Sequence, residues 1–131
     1  ALLPPWSVSA SAQAAGLAAM EALTWREETL TMIWDASFSL RAALRTQGWQ
    51  LHEASVPFFL LHAHHHVMMH HNAATLRAKL LQKGLVVRDC ASFGLPEWVR
   101  IAPQQPKQNE RLITALGELI EPDSNGICGS Q

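Results

Sequence analysis

The sequence predicts an α+β domain, in which helices pack on one face of a small, mostly antiparallel sheet. Its 131 residues, 48% of them hydrophobic, suit one domain with a substantial core. Segments with helical periodicity alternate with short apolar runs that are bounded by Gly and Pro. The resulting order is helix, helix, strand, strand, helix, strand, strand, helix, which is typical of a layered α+β fold.

Two helices are predicted at the start of the chain. Residues 7–23 are rich in Ala, and Glu21 is the only charged residue among the first 25. A helix with so little polar surface is usually covered on more than one side, so we expect a neighbour that packs on it. A longer helix is predicted from Trp25 to about Thr46, and Gly48 ends it.

The remaining elements are predicted from apolar runs, turn residues and helix caps. Gly84 is placed just after one helix and Pro106 near the first position of another, as is typical of helix ends and starts. The predicted strands cover residues 49–52, 56–61, 85–88 and 98–102, and the two helices run from Asn72 or Thr75 to Lys83 and from Pro106 through Leu119.

Composition excludes several classes of protein. Ten basic residues balance eleven acidic ones, so the overall charge does not indicate a nucleic-acid-binding protein. No apolar run approaches the roughly 18 residues that a membrane span needs. The first residues form no signal peptide, and Cys90 and Cys128 form no disulfide framework, so we expect the cytoplasm. The chain starts at Ala1 without an initiator Met, and we therefore expect that the natural chain begins earlier.

Two arginines on predicted strands are the main candidates for chemistry. Arg100 lies between two apolar residues that would face the core, so its side chain would project from the opposite face of the sheet. Arg88 lies on the neighbouring strand. A guanidinium on a rigid strand suits binding of a carboxylate or phosphate. The alternative is that both arginines are solvated or form ordinary ion pairs with Asp89 and Glu97.

Six of the seven histidines fall within residues 62–71. His66 and His70 are four residues apart, a spacing that would place two imidazoles on one helix face for a metal ion. No Cys or carboxylate is interleaved with them, and we favour a polar loop that takes up metal only adventitiously. Cys90 has no neighbouring signature of a nucleophile, and we expect it to be a packed residue at a strand end.

Residues Gly84–Ala102 carry a resemblance to a known family and read GLVVRDCASFGLPEWVRIA. This run resembles the C-terminal domain of the fold-type-I, pyridoxal-phosphate-dependent (PLP-dependent) class I and II aminotransferases. It is most similar to the L-threonine-O-3-phosphate decarboxylases of cobalamin biosynthesis, which we favour, and to the histidinol-phosphate aminotransferases. Weaker matches extend the resemblance over about residues 4–120, at PWSVS, PFFLL and NERLITAL.

The resemblance implies roles for the two arginines and a division of the chain. Arg100 matches the arginine that binds the α-carboxylate of the substrate, and Arg88 matches one near the substrate's phosphate. The helix from Trp25 resembles the family's connection between its large and small domains. Residues 1–24 would then belong to the edge of a large domain, residues 25–121 to the small domain, and residues 122–131 to a loose tail.

The family's Schiff-base lysine and its other PLP ligands belong to the large domain. Lys79, Lys83 and Lys107 do not match the catalytic position, so we expect no PLP to bind to this chain alone. The implied partners are a large PLP-binding domain of the same polypeptide, a phosphorylated amino acid and a second subunit in a homodimer. Two alternatives remain open: a free-standing, non-catalytic domain that binds an anion or a partner, and a metal-binding protein built on the histidines.

Overall fold

The computed structural model describes residues 8–65 and 72–120. It divides into two compact units, Ala1–Met32 and Ile33–Gln131. No helix in the described ranges has both the length and the apolar character that crossing a membrane requires.

The first unit contains the helix α1, Ala10–Glu21, and the beginning of α2, Leu23–Thr46. The Ser9 side chain caps α1 by accepting a hydrogen bond from the backbone N–H of Ala12 at 3.2 Å. No residue of α1 is buried, and its apolar side chains are exposed. The neighbour that the sequence led us to expect on this helix stays a prediction.

We predicted that α2 begins at Trp25, which is two residues after its actual first residue. The helix begins at Leu23, because the N–H of Arg26 already donates to the carbonyl of Ala22 at 3.0 Å. Only Ala22 separates the end of α1 from the start of α2.

The second unit is an antiparallel sheet covered by helices on one face, as predicted. The strands are β1 (Leu51–His52), β2 (Phe59–His62), β3 (Arg88–Cys90) and β4 (Leu95–Ile101), in the spatial order β1-β2-β4-β3. Neighbouring strands are antiparallel throughout. The helices are the second part of α2, α3 (Ala73–Gln82) and α4 (Pro106–Ile120), and a short 3₁₀ turn covers Ala91–Phe93.

The core lies between the helices and the inward face of the sheet. Apolar residues of α2, α3 and α4 pack against the alternate strand residues that point toward them. The fully buried members include Leu40, Leu44, Phe59, Leu61, Leu76, Leu80, Val99 and Leu116. The other sheet face, which bears the half-buried Leu60 and the exposed Arg100, carries the candidate site.

The strand that we predicted at residues 85–88 begins three residues later, because β3 covers residues 88–90. Residues Gly84 and Leu85 are still bonded to the end of α3, because their N–H groups donate to the carbonyls of Leu81 and Leu80 at 2.9 Å. Gly84 has a φ of 72°, as this helix ending requires. The chain therefore cannot join the sheet until Arg88.

The strands 49–52, 56–61 and 98–102 were predicted in the right places with inexact ends. The turn before β4 is shorter than expected. Gly94, with a φ of 76°, allows Leu95 to pair at once with Cys90. A register shift between Asp89 and Cys90 accommodates this early start.

Candidate anion-binding site

Arg88 and Arg100 lie directly opposite each other on β3 and β4. Val99 and Ile101, on either side of Arg100, are buried, whereas both arginines are exposed. Because side chains alternate along a strand and opposed residues share a face, both guanidinium groups stand on the sheet face away from the core. The alternation of residues 99–101 predicted this placement.

Like charges directly opposite each other destabilise a sheet pair. On the next strands, Leu60 of β2 lies opposite Arg100 and His52 of β1 lies opposite Leu60. Neither residue is acidic, so neither offsets the two positive charges. A bound anion between the two guanidinium groups would turn this repulsion into attraction.

Each guanidinium group lies near a phenyl ring. The Cζ atom of Arg88 is 5.3 Å from the centre of the Phe93 ring, and that of Arg100 is 5.2 Å from the centre of the Phe58 ring. Both rings are exposed. In these cation–π contacts a phenyl ring supports each guanidinium group, and the N–H donors of the group stay available to a ligand.

The carboxylates expected to neutralise these arginines are bound elsewhere. Asp89 forms an ion pair with Arg77 at 3.8 Å, and Glu97 lies 3.3 Å from Nε2 of His62. In residues 8–65 and 72–120, neither Arg88 nor Arg100 has a carboxylate oxygen within 4.0 Å. Ordinary ion pairs with Asp89 and Glu97 are therefore excluded, and the alternative that both arginines are solvated stays open.

A groove of about 460 Å³ runs along segment 84–88, the end of β4 and the start of α4. Arg88, Arg100 and Arg111 line it, and no acidic residue is among the lining residues that the structure describes. The buried Asn109 fixes one wall, because its side-chain amide exchanges two hydrogen bonds of 2.9 Å with the backbone of Gln104. The arrangement suits an anionic group such as a phosphate or a carboxylate.

His66 and His70, the pair considered for a metal ion, lie outside the described residues. Of the described histidines, His62 accepts a hydrogen bond at Nδ1 from the N–H of His64 at 3.2 Å. His65 is buried, with Nε2 3.0 Å from the carbonyl of Gln47 and its ring 4.7 Å from that of Trp49. Among the described residues, no group of three or more potential metal ligands is found.

The described lysines lie on helices or at a helix end, and that none of them is the Schiff-base lysine stays a prediction. Lys79 lies on α3 and Lys107 on α4. Lys83, at the end of α3, forms an ion pair with Glu118. Cys90 is buried and lies in contact with the carbonyl of Arg88, as expected of a packed strand-end residue.

Three features of this site were not anticipated from the sequence: Phe58, Phe93 and the buried Arg41. The two phenylalanines were not singled out because their role depends on contacts with arginines that are distant or unpaired in the sequence pattern and become neighbours only in the folded chain. Arg41, on α2, was not singled out either. The signal that could have found it is its spacing, since it lies four residues after the buried Ser37 and three before the buried Leu44.

Comparison with known proteins identifies the family. The sequence model of the family "Aminotransferase class I and II" matches residues 1–116. The chain belongs to this family. Its members are PLP-dependent enzymes, and the resemblance seen in residues 84–102 is confirmed.

Named relatives within the family are histidinol-phosphate aminotransferases. The chain is 35% identical over 112 residues to that of Symbiobacterium thermophilum, covering 86% of this chain and 29% of the relative. It is 31% identical over 118 residues to that of Haloarcula marismortui, covering 89% of this chain and 30% of the relative. The chain thus spans about three tenths of the length of these curated relatives.

A solved structure confirms the fold. The histidinol-phosphate aminotransferase from Clostridium acetobutylicum superposes with a TM-score of 0.73 at 23% identity, over 90% of this chain and 35% of that one. This chain therefore has the fold of a part of that aminotransferase.

Proposed function

We propose that this chain is the C-terminal part of a PLP-dependent enzyme that acts on a phosphorylated amine, and that it supplies arginines for the substrate's anionic groups. The observation that carries the proposal is the opposed pair Arg88 and Arg100, which has no carboxylate within 4.0 Å in the described residues. The chain spans only about three tenths of the length of its relatives, which supports the view that the chemistry needs further polypeptide.

The first candidate reaction is transamination of histidinol phosphate, the substrate in the names of the relatives. This substrate has a phosphate and an amine but no carboxylate. Arg88 and Arg100 would then share one phosphate, for which two forked guanidinium groups on neighbouring strands are well suited.

The second candidate is decarboxylation of threonine phosphate, favoured by the run Arg88–Pro96 and its resemblance to that branch. This substrate has both a carboxylate and a phosphate. Arg100 would bind the carboxylate and Arg88 would lie nearer to the phosphate. The two candidates therefore assign different ligands to the same guanidinium group.

PLP, when bound, supplies the electron sink for either reaction. In this proposal the cofactor is held by an upstream large domain, to whose edge residues 1–24 belong, while residues 25–121 form the small domain and 122–131 a tail. The exposed apolar surface of α1 supports such a neighbour. We further propose a cytoplasmic homodimer. The role of the present residues is to bind and orient the substrate.

The experiment is to determine the native N-terminus by intact mass and peptide mapping, and then to assay that polypeptide. Amino transfer from histidinol phosphate to a 2-oxo acid and CO₂ release from threonine phosphate are measured in parallel. Activity with one substrate identifies the reaction. A native chain that starts at Ala1, binds no PLP and converts neither substrate overturns the proposal and favours a non-catalytic domain.

A further inference from the structure

Arg41 is a buried cation without a carboxylate partner among the described residues. It lies on α2 and is only 4% exposed. Its Cζ atom is 5.1 Å from the centre of the Phe59 ring. No carboxylate oxygen in residues 8–65 and 72–120 lies within 4.0 Å of its guanidinium group. Its charge is therefore compensated by backbone carbonyls and a ring.

Three consecutive backbone carbonyls accept hydrogen bonds from this guanidinium group. The Nη2 atom donates to the carbonyls of Val56, Pro57 and Phe58 at 2.9, 3.3 and 3.4 Å. One helical turn earlier, the fully buried Ser37 donates its hydroxyl to the carbonyl of Pro57 at 2.6 Å. One face of α2 thus fixes the segment that leads into β2.

Burial of a charge is costly, and an apolar side chain of similar volume often stabilises a core equally well or better. Arg41 Nε also has no hydrogen-bond partner in the described structure. Core stability alone is thus a weak reason for an arginine at this position. A better reason for an arginine here is the conformation that its hydrogen bonds impose on residues 56–58.

The segment that Arg41 holds places two successive rings on opposite sides of the sheet. Phe59 points into the core, under Arg41 itself. Phe58 is 40% exposed and lies 5.2 Å from the Arg100 guanidinium on the outer face. A shift of the 56–58 backbone would move both rings, and the contact between Phe58 and Arg100 would change with them.

We propose that Arg41 is a positioning residue for anion binding: it fixes segment 56–58 so that Phe58 supports the guanidinium group of Arg100. The inference deepens the proposed function and rests on it. Arg41 does not touch the substrate, and it acts through Phe58. Its removal should weaken substrate binding and leave the chemical step intact, since the support is the same in the ground state and the transition state.

The test compares Arg41→Met and Phe58→Leu in the native full-length polypeptide, using the phosphorylated substrate and, separately, orthophosphate as probes. We expect each variant to raise KM about threefold to tenfold, which corresponds to the free energy of one cation–π contact. The kcat should change less than about twofold. The Kd for orthophosphate should rise in parallel. The double variant should be no weaker than the worse single variant, because both changes remove the same contact.

Arg45→Met is the matched control, because Arg45 lies one turn further along α2, is exposed and pairs with Glu53. It should leave KM and Kd unchanged. Arg41→Lys should recover part of the affinity through a hydrogen bond to the carbonyls. An unchanged KM and Kd in folded Arg41→Met, or fully additive effects in the double variant, overturn the inference.

If Arg41→Met fails to fold, Ser37→Ala and Phe58→Leu decide the question. Both should weaken orthophosphate binding, and unchanged binding in Phe58→Leu rejects the inference. Failure of the proposed function has a different signature: the unmodified polypeptide converts neither phosphorylated amine. Orthophosphate binding still tests the link between Arg41 and Arg100 in that case.

Discussion

Arg88 and Arg100 occupy opposed positions on β3 and β4, each with its guanidinium group about 5 Å from the centre of a phenyl ring. Their acidic neighbours in sequence, Asp89 and Glu97, are instead paired with Arg77 and His62. The antiparallel register produces this separation, since it brings the two arginines together and leaves the carboxylates to other partners. The consequence is a doubly positive surface that a bound anion would stabilise.

Arg100→Lys should lower substrate affinity at least tenfold in the intact enzyme and leave PLP binding unchanged. An ammonium group lacks the planar fork that binds a carboxylate or phosphate through two hydrogen bonds. KM from steady-state kinetics and the absorbance of the bound cofactor provide the two readouts. Arg45→Lys is the control, and an Arg100→Lys enzyme with normal KM would remove the role assigned to Arg100.

Orthophosphate should stabilise the intact protein more than chloride does at equal ionic strength, and Arg88→Gln should abolish most of the difference. A ligand at ten times its Kd adds about 1.4 kcal/mol to the free energy of unfolding. The check is thermal unfolding in matched salts. Equal stabilisation of the Arg88→Gln variant and the unmodified protein by phosphate would show that the anion binds elsewhere.

Leu116→Ala should lower the free energy of unfolding of the second unit by about 2–5 kcal/mol, because the side chain is fully buried between α4 and the sheet. Leu81→Ala removes the same atoms from a residue that is 52% exposed and should cost less than about 1 kcal/mol. Denaturation in urea, followed by tryptophan fluorescence, to which the buried Trp49 contributes, measures both. Similar losses in the two variants would contradict the core described here.

Zn²⁺ should bind the histidine-rich segment only weakly and without fixed stoichiometry. His62 is close to Glu97, and His65 is buried beside the carbonyl of Gln47, so both are already engaged. Calorimetry on the unmodified protein and on a variant with His66→Ala and His70→Ala makes the test. Tight one-to-one binding that disappears in the variant would establish a metal site at His66 and His70 instead.

The sequence predicted what depends on short-range periodicity. Alternation along residues 98–102 placed Arg100 on the outer face, and Pro106 marked the start of α4 to the residue. It could not give the start of β3, because the hydrogen bonds from Gly84 and Leu85 back to α3 compete with strand pairing. It also missed Arg41 and Phe58, whose contacts join residues 17 and 42 positions apart in the chain.

The two outer strands of the sheet are short: β1 has two residues, and β3 has three and a register shift. Each edge therefore exposes few unpaired backbone donors and acceptors to a further strand from another molecule. Polymerisation by strand addition is disfavoured at both edges. If this domain associates with itself when it is produced alone, the contact should involve side chains on the exposed faces rather than an extended sheet.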